Sequence, residues 1–394
     1  SGVKPFIASF GKAYHNSHNK FDVTVESGGT MFAVEQVAKG FTNIGNASNN
    51  PYLVVNTQGY KDQWTNKKTF TLGWEGLVMM YSLPKGLSKD FPKEKFNIVI
   101  SEENILPLYG VFSGYHQLKV GNWDPLMDSL WYYAPADVKA LITNEKDIKL
   151  LKETQILPFV RAGGNNGANS SIAFSYYSNL KNFEDMTPDQ QQAFKYGKYG
   201  SDGLEIMQTD ESNARAWQSF VYNDDGASMT YLTSSFITNE NNRKQMEEKG
   251  YKLAGYQPKG TTTPVFVDGT KESLKMIDSQ NGYNWYRPIN IMIDLNVQKT
   301  KDFIYWIYMH TDEDMPISSF TSLSEEYSDT ILSKGAKPLS VNEAASMLSQ
   351  DIDWTSTTTL KQMLFDSTAS DFALEETRQG VFKTVYGAKD LWPE

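Results

Sequence analysis

The chain has 394 residues, too many for one small hydrophobic core, and its length predicts two lobes. Its net charge of -10 argues against a nucleic-acid partner, although local dipoles and hydrogen bonds still allow an acidic protein to bind a small anion. Cysteine is absent, which excludes disulfides, thiolate catalysis and cysteine-based metal sites.

Membrane and metal signals are weak. No run reaches the roughly 18 apolar residues that a membrane-spanning helix needs. The chain starts inside a patterned segment, so we expect any targeting segment to lie upstream of Ser1. The four histidines, His15, His18, His116 and His310, are scattered. His15 and His18 lie three residues apart, which fits either the polar end of a helix or a pair of metal ligands.

The first 84 residues alternate between helical and strand patterns. Phe6, Phe10 and Tyr14 recur every four residues and predict a helix over 3–14. A second helical repeat runs from Met31 to Phe41, with Gly40 at its C-terminus. Strand-like patterns occupy 21–25, 42–48, 52–57 and 72–84. This alternation is typical of an α/β layer structure.

Further along, the chain continues to mix both kinds of element. Strand patterns follow at 96–100, 156–160, 228–232, 252–256 and 287–295. Helical patterns follow at 136–153, after the loop that begins at 161, and at 188–195, 211–222, 271–279, 300–309, 341–351 and 371–384. There is no repeat, low-complexity tract or flexible linker, so we expect strands themselves to cross between the two lobes.

Three stretches place small polar residues at what reads as a helix start: SGVKPF at the N-terminus, ESGGTMFAVEQVAKG at 26–40 and RAGGNNGANSSIAFSYY at 161–177. A helix N-terminus has unpaired N–H groups and a partial positive charge, so each stretch is a potential anion site. Arg161 stands beside the third stretch and offers a fork of donors to an oxyanion.

Each stretch also has an ordinary interpretation. The segment around Thr30 fits a glycine turn with a capping residue, and the 162–170 loop fits a simple connector. That loop lacks the lysine of a P-loop and the spacing of a dinucleotide fingerprint, so nucleotide binding is not expected. Ser1 and Gly2 fit a cloning remnant, and the turn at 46–51 fits a plain turn.

An ordered series of motifs resembles the phosphate-binding proteins of ABC phosphate importers, over about residues 1–310. VTVESGGTMFAVEQVAKGFTNIGNAS is similar to their strand, Gly/Ser loop, helix and D-I-G-x-(A)-S turn. GVFSGYHQLKVGNW and FVRAGGNNGANSSIAF are similar to their I-F-S-G…N-W and R-x-x-G-S-G-T segments. LGWEGLVMMYSLP resembles their domain-crossing strand, and YNWYRPINIMI resembles their Y-P-x-x-R-P-L segment.

This resemblance implies an α/β fold: a two-lobed periplasmic-binding-protein (type II) clamp with crossing strands, to which a mostly helical C-terminal extension is added. Lobe I would comprise 1–83 and 286–394, and lobe II would comprise 84–285. Residues 311–394 match no part of the family, and we expect them to belong with lobe I.

By the same resemblance, the phosphate contacts fall on a defined set of positions: Ser1, Gly2, Thr30, Ser48, Asn49, Arg161, Gly167, Asn169 and Ser170. Two departures matter. The family's turn carries an aspartate that accepts the proton of phosphate, and here Ser48 or Asn49 stands in its place. The G-S-G-T loop is also lengthened. Because an aspartate would repel an unprotonated anion such as sulfate, its loss weakens that discrimination.

The resemblance implies a binding protein rather than an enzyme, with no cofactor and no metal. It would capture inorganic phosphate outside the cytoplasm, as a monomer held by an upstream lipid anchor or free in a periplasm, and present it to the membrane permease of an ABC importer. Three alternatives stay open: another oxyanion or a phosphorylated small molecule as ligand, a phosphohydrolase, and a surface adhesion module that uses the last 84 residues.

Overall fold

The protein is described by a computed structural model. The described residues are 2–18, 22–26, 28–48, 51–101, 108, 112, 133–161, 207–209, 212–279, 281–348 and 357–365.

The helices that the described residues form are numbered in chain order. They are α1 (Lys4–His18), α2 (Gly29–Ala38), α3 (Pro51–Thr57), α4 (Ala136–Lys139), α5 (Glu145–Glu153), α6 (Asn213–Asn223), α7 (Ser234–Ile237), α8 (Glu240–Lys249), α9 (Lys271–Leu274), α10 (Gln298–Met309), α11 (Glu325–Ser333), α12 (Val341–Leu348) and α13 (Leu360–Phe365). Single turns of 3-10 helix lie at Lys61–Trp64 and Ile317–Ser319. None of these helices is both long and apolar enough to cross a membrane.

The strands are numbered in the same way. They are β1 (Ile44–Ala47), β2 (Lys67–Tyr81), β3 (Val99–Ile100), β4 (Leu157–Arg161), β5 (Met207–Thr209), β6 (Ser228–Thr233), β7 (Lys252–Leu253), β8 (Gly255–Tyr256), β9 (Tyr286–Asp294) and β10 (Ala336–Pro338).

The chain divides into two compact units. Unit 1 comprises Ser1–Glu75 and Arg287–Glu394, and unit 2 comprises Gly76–Tyr286. The first division falls inside β2, whereas the sequence analysis set the lobe boundary at 83/84, beyond the end of this strand. The second division, at 286/287, lies one residue from the expected 285/286. The chain therefore passes from unit 1 to unit 2 along a continuous strand.

Unit 1 is organised around β9 and the first half of β2. Strand β1 pairs antiparallel with β9, with Ile44 opposite Ile293. Helix α2 covers this layer and packs Val34 and Val37 against Trp64 in a fully buried cluster. At about 25 cal/mol per Å² of apolar surface, such burial is the main stabilising contribution in the unit.

Unit 2 contains the second half of β2. It pairs antiparallel with β6, which pairs in parallel with β4, and β4 pairs in parallel with β5. A short parallel ladder joins β3 to β8. The buried Phe159 of β4 packs edge-on against Phe220 of α6, which fixes that helix on the sheet. The strand expected at 156–160 is confirmed and extends to Arg161.

Three local expectations are wrong. The alternating segment at 21–25 predicted a strand, but residues 22–26 form no regular element. The segment at 52–57 predicted a strand, but it lies in α3, where Pro51 takes the first helical position that proline favours. Phe41 was placed on the buried face of a helix, but α2 ends at Ala38 and Phe41 is 73% exposed.

Two further helix predictions need revision. The helix predicted over 136–153 is interrupted, because Asn144 begins α5 by accepting a hydrogen bond from the Lys146 backbone N–H. The helices predicted after Arg161 and at 188–195 and 371–384 lie outside the described residues.

The C-terminal extension belongs to unit 1. Its helices α11, α12 and α13 match the mostly helical expectation, and β10 adds a strand that the sequence analysis did not predict. Strand β10 pairs antiparallel with β2, with Ala336 opposite Glu75. The hydroxyl of Tyr327 on α11 donates to the Leu72 carbonyl at 2.6 Å and accepts from the Leu339 N–H at 3.0 Å. These bonds attach the extension to the sheet of its own unit.

Candidate functional site

Thr30 and Ser48, two of the predicted contacts, lie together in unit 1. Thr30 is in the first turn of α2 and is 2% exposed. Gly29 precedes it with a φ of 77°, a left-handed conformation that favours glycine. Ser48 follows the last residue of β1, and its backbone N–H donates to the Thr30 hydroxyl at 3.4 Å. The hydroxyl therefore accepts from one segment while its own proton remains available for another acceptor.

Gly2 is buried in the turn that leads into α1. The N–H groups of Phe6 and Ile7 bond to the carbonyl of Val3 and close the first turn of this helix. Earlier N–H groups in a helix have no partner within the helix, so this end carries a partial positive charge. Gly2 thus lies at a helix start, as its motif predicts.

Arg161 is the last residue of β4 and is 2% exposed. Its backbone N–H donates to the hydroxyl of Tyr231 on the adjacent β6 at 3.3 Å. On the other side, the backbone of Arg161 is in register with Thr209 of β5. The guanidinium is thus held by a strand with a neighbour on each side, which limits the directions in which it can move. Arg161 belongs to unit 2, and Gly2, Thr30 and Ser48 belong to unit 1.

The other predicted contacts lie outside the described residues: Ser1, Asn49, Gly167, Asn169 and Ser170. The convergence of the whole set on one ligand therefore stays a prediction.

The sequence analysis missed a buried ion pair that lies beside Gly2. The Nε atom of Arg287 donates to the Oε2 atom of Glu75 at 2.9 Å, and both side chains are almost fully buried. A Cβ atom at Gly2 would lie closer than 3.0 Å to Arg287 Nη2 and to Glu75 Oε2. A signal was present in the sequence, because a carboxylate inside the apolar run LGWEGLVMMY needs a partner if the strand is buried.

A cavity of about 570 Å³ lies elsewhere in unit 1. Its lining includes Gly28 and Gly29 from the start of α2 and Asn46 from β1, but neither Thr30 nor Ser48. Apolar side chains such as Phe32 and Val23 supply much of the remaining wall. The cavity borders the predicted anion loop without including its hydroxyl groups, and we assign it no ligand.

The two histidines near the end of α1 bond to different carboxylates. His15 lies 3.0 Å from Asp22, and His18 lies 2.7 Å from Asp312. The ring of His18 also stacks on Tyr14. Among the described residues, no three acidic, histidine or cysteine side chains are grouped as a metal site requires.

Similarity to known proteins supports the fold. No family model matches the chain. An uncharacterized lipoprotein of Mycoplasma genitalium is 26% identical over 332 residues, which are 80% of this chain and 78% of that protein. The crystal structure of an ancestral soluble variant of the human phosphate binding protein superposes with a TM-score of 0.50 and 10% identity, over 92% of this chain and 96% of that one.

A further solved structure, an ABC-type phosphate transport receptor from Vibrio cholerae, has a TM-score of 0.45 and 15% identity over 86% of this chain and 97% of that one. The fold assignment rests on the superposition with the score of 0.50. This protein has the α/β fold of the phosphate-binding members of the periplasmic-binding-protein class.

Proposed function

We propose that this protein is a substrate-binding protein that captures inorganic phosphate between its two units. The observation that carries the proposal is the hydrogen bond between the Ser48 backbone N–H and the Thr30 hydroxyl. It joins two separate segments whose motifs resemble phosphate-contacting segments. The fold supports the same function, since the phosphate binding protein that superposes on the chain has it too.

In this proposal the anion is bound by groups that need no catalysis. The N-termini of α1 and α2 supply N–H groups and partial positive charge, Thr30 supplies a hydroxyl proton, and Arg161 supplies a guanidinium. Ser1, Asn49 and the loop with Gly167, Asn169 and Ser170 complete the contacts. A micromolar complex requires about 8 kcal/mol, which several charge-assisted hydrogen bonds can provide after the cost of desolvation.

We further propose that the two units are the two lobes of a clamp, that the protein acts as a monomer outside the cytoplasm, and that it delivers its ligand to the permease of an ABC importer. The name lipoprotein for the Mycoplasma genitalium relative supports a lipid anchor upstream of Ser1. Closure of a clamp around the anion would exclude water and report the loaded state to the permease.

The test is titration calorimetry with inorganic phosphate. We expect tight binding by the unmodified protein and at least a hundredfold weaker binding by Arg161→Ala, because the buried guanidinium is its main positive charge in unit 2. Arg215→Ala is the matched control, since Arg215 is exposed on α6 of the same unit, and its affinity should not change. Equal phosphate affinity in all three proteins would remove Arg161 from the site.

A second ligand, sulfate, is favoured by one observation: Ser48 rather than a carboxylate follows β1, so a repulsive group against unprotonated anions is missing there. Competition between phosphate and sulfate from pH 5 to pH 8 separates the two ligands. Exclusion of sulfate across that range would favour phosphate as the physiological ligand, and equal competition would favour a general oxyanion binder.

A further inference from the structure

Glu75 and Arg287 form an ion pair inside unit 1. Glu75 lies on β2 and Arg287 on the neighbouring β9, and their side chains are 0% and 3% exposed. Burying two charges costs several kcal/mol per ion before their attraction offsets the loss. Such a pair is therefore a weak reason for stability, and its position must be examined for another role.

The pair packs directly against Gly2. A methyl group at this position would overlap both the Arg287 Nη2 atom and the Glu75 Oε2 atom. Glycine is thus the residue that allows the turn before α1 to rest on the two charged groups. Any shift of the carboxylate or the guanidinium would shift the backbone from which α1 begins.

The guanidinium has an unused donor at this contact. Its Nε atom is bonded to Glu75, while Nη2 is buried and has no hydrogen-bond acceptor among the described residues. A buried donor without an acceptor keeps its positive potential unscreened by water. That potential acts on the turn at Gly2, which already carries the partial positive charge of a helix start.

We propose that the Glu75–Arg287 pair is a positioning and specificity-determining element of the oxyanion site: it holds the Gly2 turn in place and sets the charge that the bound anion meets there. The inference rests on the proposed function. It also supplies a carboxylate and a guanidinium near the ligand in a chain whose Ser48 turn lacks the aspartate of similar proteins. Because the two charges cancel, neither protonated nor unprotonated anions are strongly rejected.

The charge effect predicts opposite results for two single variants. Glu75→Gln leaves the positive charge of Arg287 uncompensated, so we expect phosphate and sulfate to bind at least threefold more tightly. Arg287→Gln leaves a buried carboxylate, so we expect both anions to bind at least tenfold more weakly. A pair with a purely structural role would weaken binding in both variants, and that result would overturn the proposal.

The chain offers a matched control. Lys67 and Asp294 also join β2 to β9, at 2.7 Å, but they lie at the other end of the unit 1 half of β2. Asp294→Asn should leave both anion affinities unchanged, and an effect equal to that of Glu75→Gln would overturn the proposal.

A second variant keeps the test decisive if a single charge removal prevents folding. Arg287→Lys retains the charge and a bond to Glu75, but an ammonium has no Nη2 atom to rest on Gly2. We expect a folded protein with at least threefold weaker phosphate binding, and unchanged binding would overturn the proposal. If the unmodified protein binds neither phosphate nor sulfate in calorimetry, the proposed function itself fails, whereas unchanged affinities in all variants defeat this inference alone.

Discussion

The hydroxyl of Tyr327 donates a hydrogen bond to the backbone carbonyl of Leu72 at 2.6 Å. The same oxygen accepts from the Leu339 N–H at 3.0 Å, so one buried phenol joins α11, β2 and the segment after β10. Burial raises the pKa of Tyr327 well above its usual range, which keeps the phenol protonated as a donor. This residue explains how a segment without a recognisable motif belongs to the fold of unit 1.

Tyr327→Phe should destabilise unit 1 by about 1–3 kcal/mol, because it leaves the Leu72 carbonyl and the Leu339 N–H buried without this partner. Denaturant unfolding measures the effect. Tyr222→Phe is the control, since Tyr222 is 89% exposed. Equal stability of the two variants would mean that solvent replaces the phenol and that the extension is loosely attached.

Thr30→Val should weaken phosphate binding about tenfold, because it keeps the shape of the side chain but removes the hydroxyl that accepts from the Ser48 N–H and donates to the ligand. Thr30→Ser keeps the hydroxyl and should bind within threefold of the unmodified protein. Calorimetry with both variants provides the comparison. Loss of affinity in both would assign the role to the methyl group instead.

Asp147→Ala should destabilise unit 2 by about 1–3 kcal/mol. Asp147 is 1% exposed in the first turn of α5, where its carboxylate accepts from the Ser88 backbone N–H at 2.7 Å and from the Ser88 hydroxyl. Its removal leaves that N–H without an acceptor and takes a negative charge from a helix N-terminus. Thermal unfolding measures the loss, and Glu145→Ala, an exposed change in the same turn, should cost less. A larger effect at Glu145 would contradict this account.

His310 should make stability depend on pH below neutrality. Burial lowers the pKa of His310 from 6.5, and the nearby Glu326 opposes that shift only in part. The unfolded chain therefore binds a proton that the folded protein does not, so the unfolding free energy should fall as pH decreases below about 6.5. His310→Asn suits the left-handed backbone at this position (φ 46°) and should flatten the dependence between pH 7 and pH 5. An unchanged slope would assign the dependence to other groups.

The comparison of sequence and structure shows which signals are local. The long run at 72–84 predicted β2 because every residue of a doubly covered strand can be apolar, and the strand is buried along its whole length. Alternation at 21–25 was misleading because a strand needs a partner edge that local sequence does not specify. Val23 instead packs beside Gly11 of α1. Val54 and Val55 favoured a strand, but burial against the α2 cluster selected a helix.

The candidate site divides in the same way. Thr30, Ser48 and Arg161 were found because motif spacing places them at the ends of strands and starts of helices, where backbone groups are unpaired. The partnership of Glu75 with Arg287 was not found, since 211 residues separate them along the chain and no spacing rule links them. A pairing of that kind is decided by strand order, which emerges from the whole sheet.

The division of β2 and β9 between the units has a consequence for synthesis. Unit 1 needs both its first 75 residues and everything from Arg287 onward, so its sheet cannot be completed while a ribosome is still producing unit 2. Strand β1 must wait for β9, and Glu75 must wait for its counter-ion. The N-terminal quarter of the polypeptide should therefore remain dependent on chaperones or translocation factors until the last third has emerged.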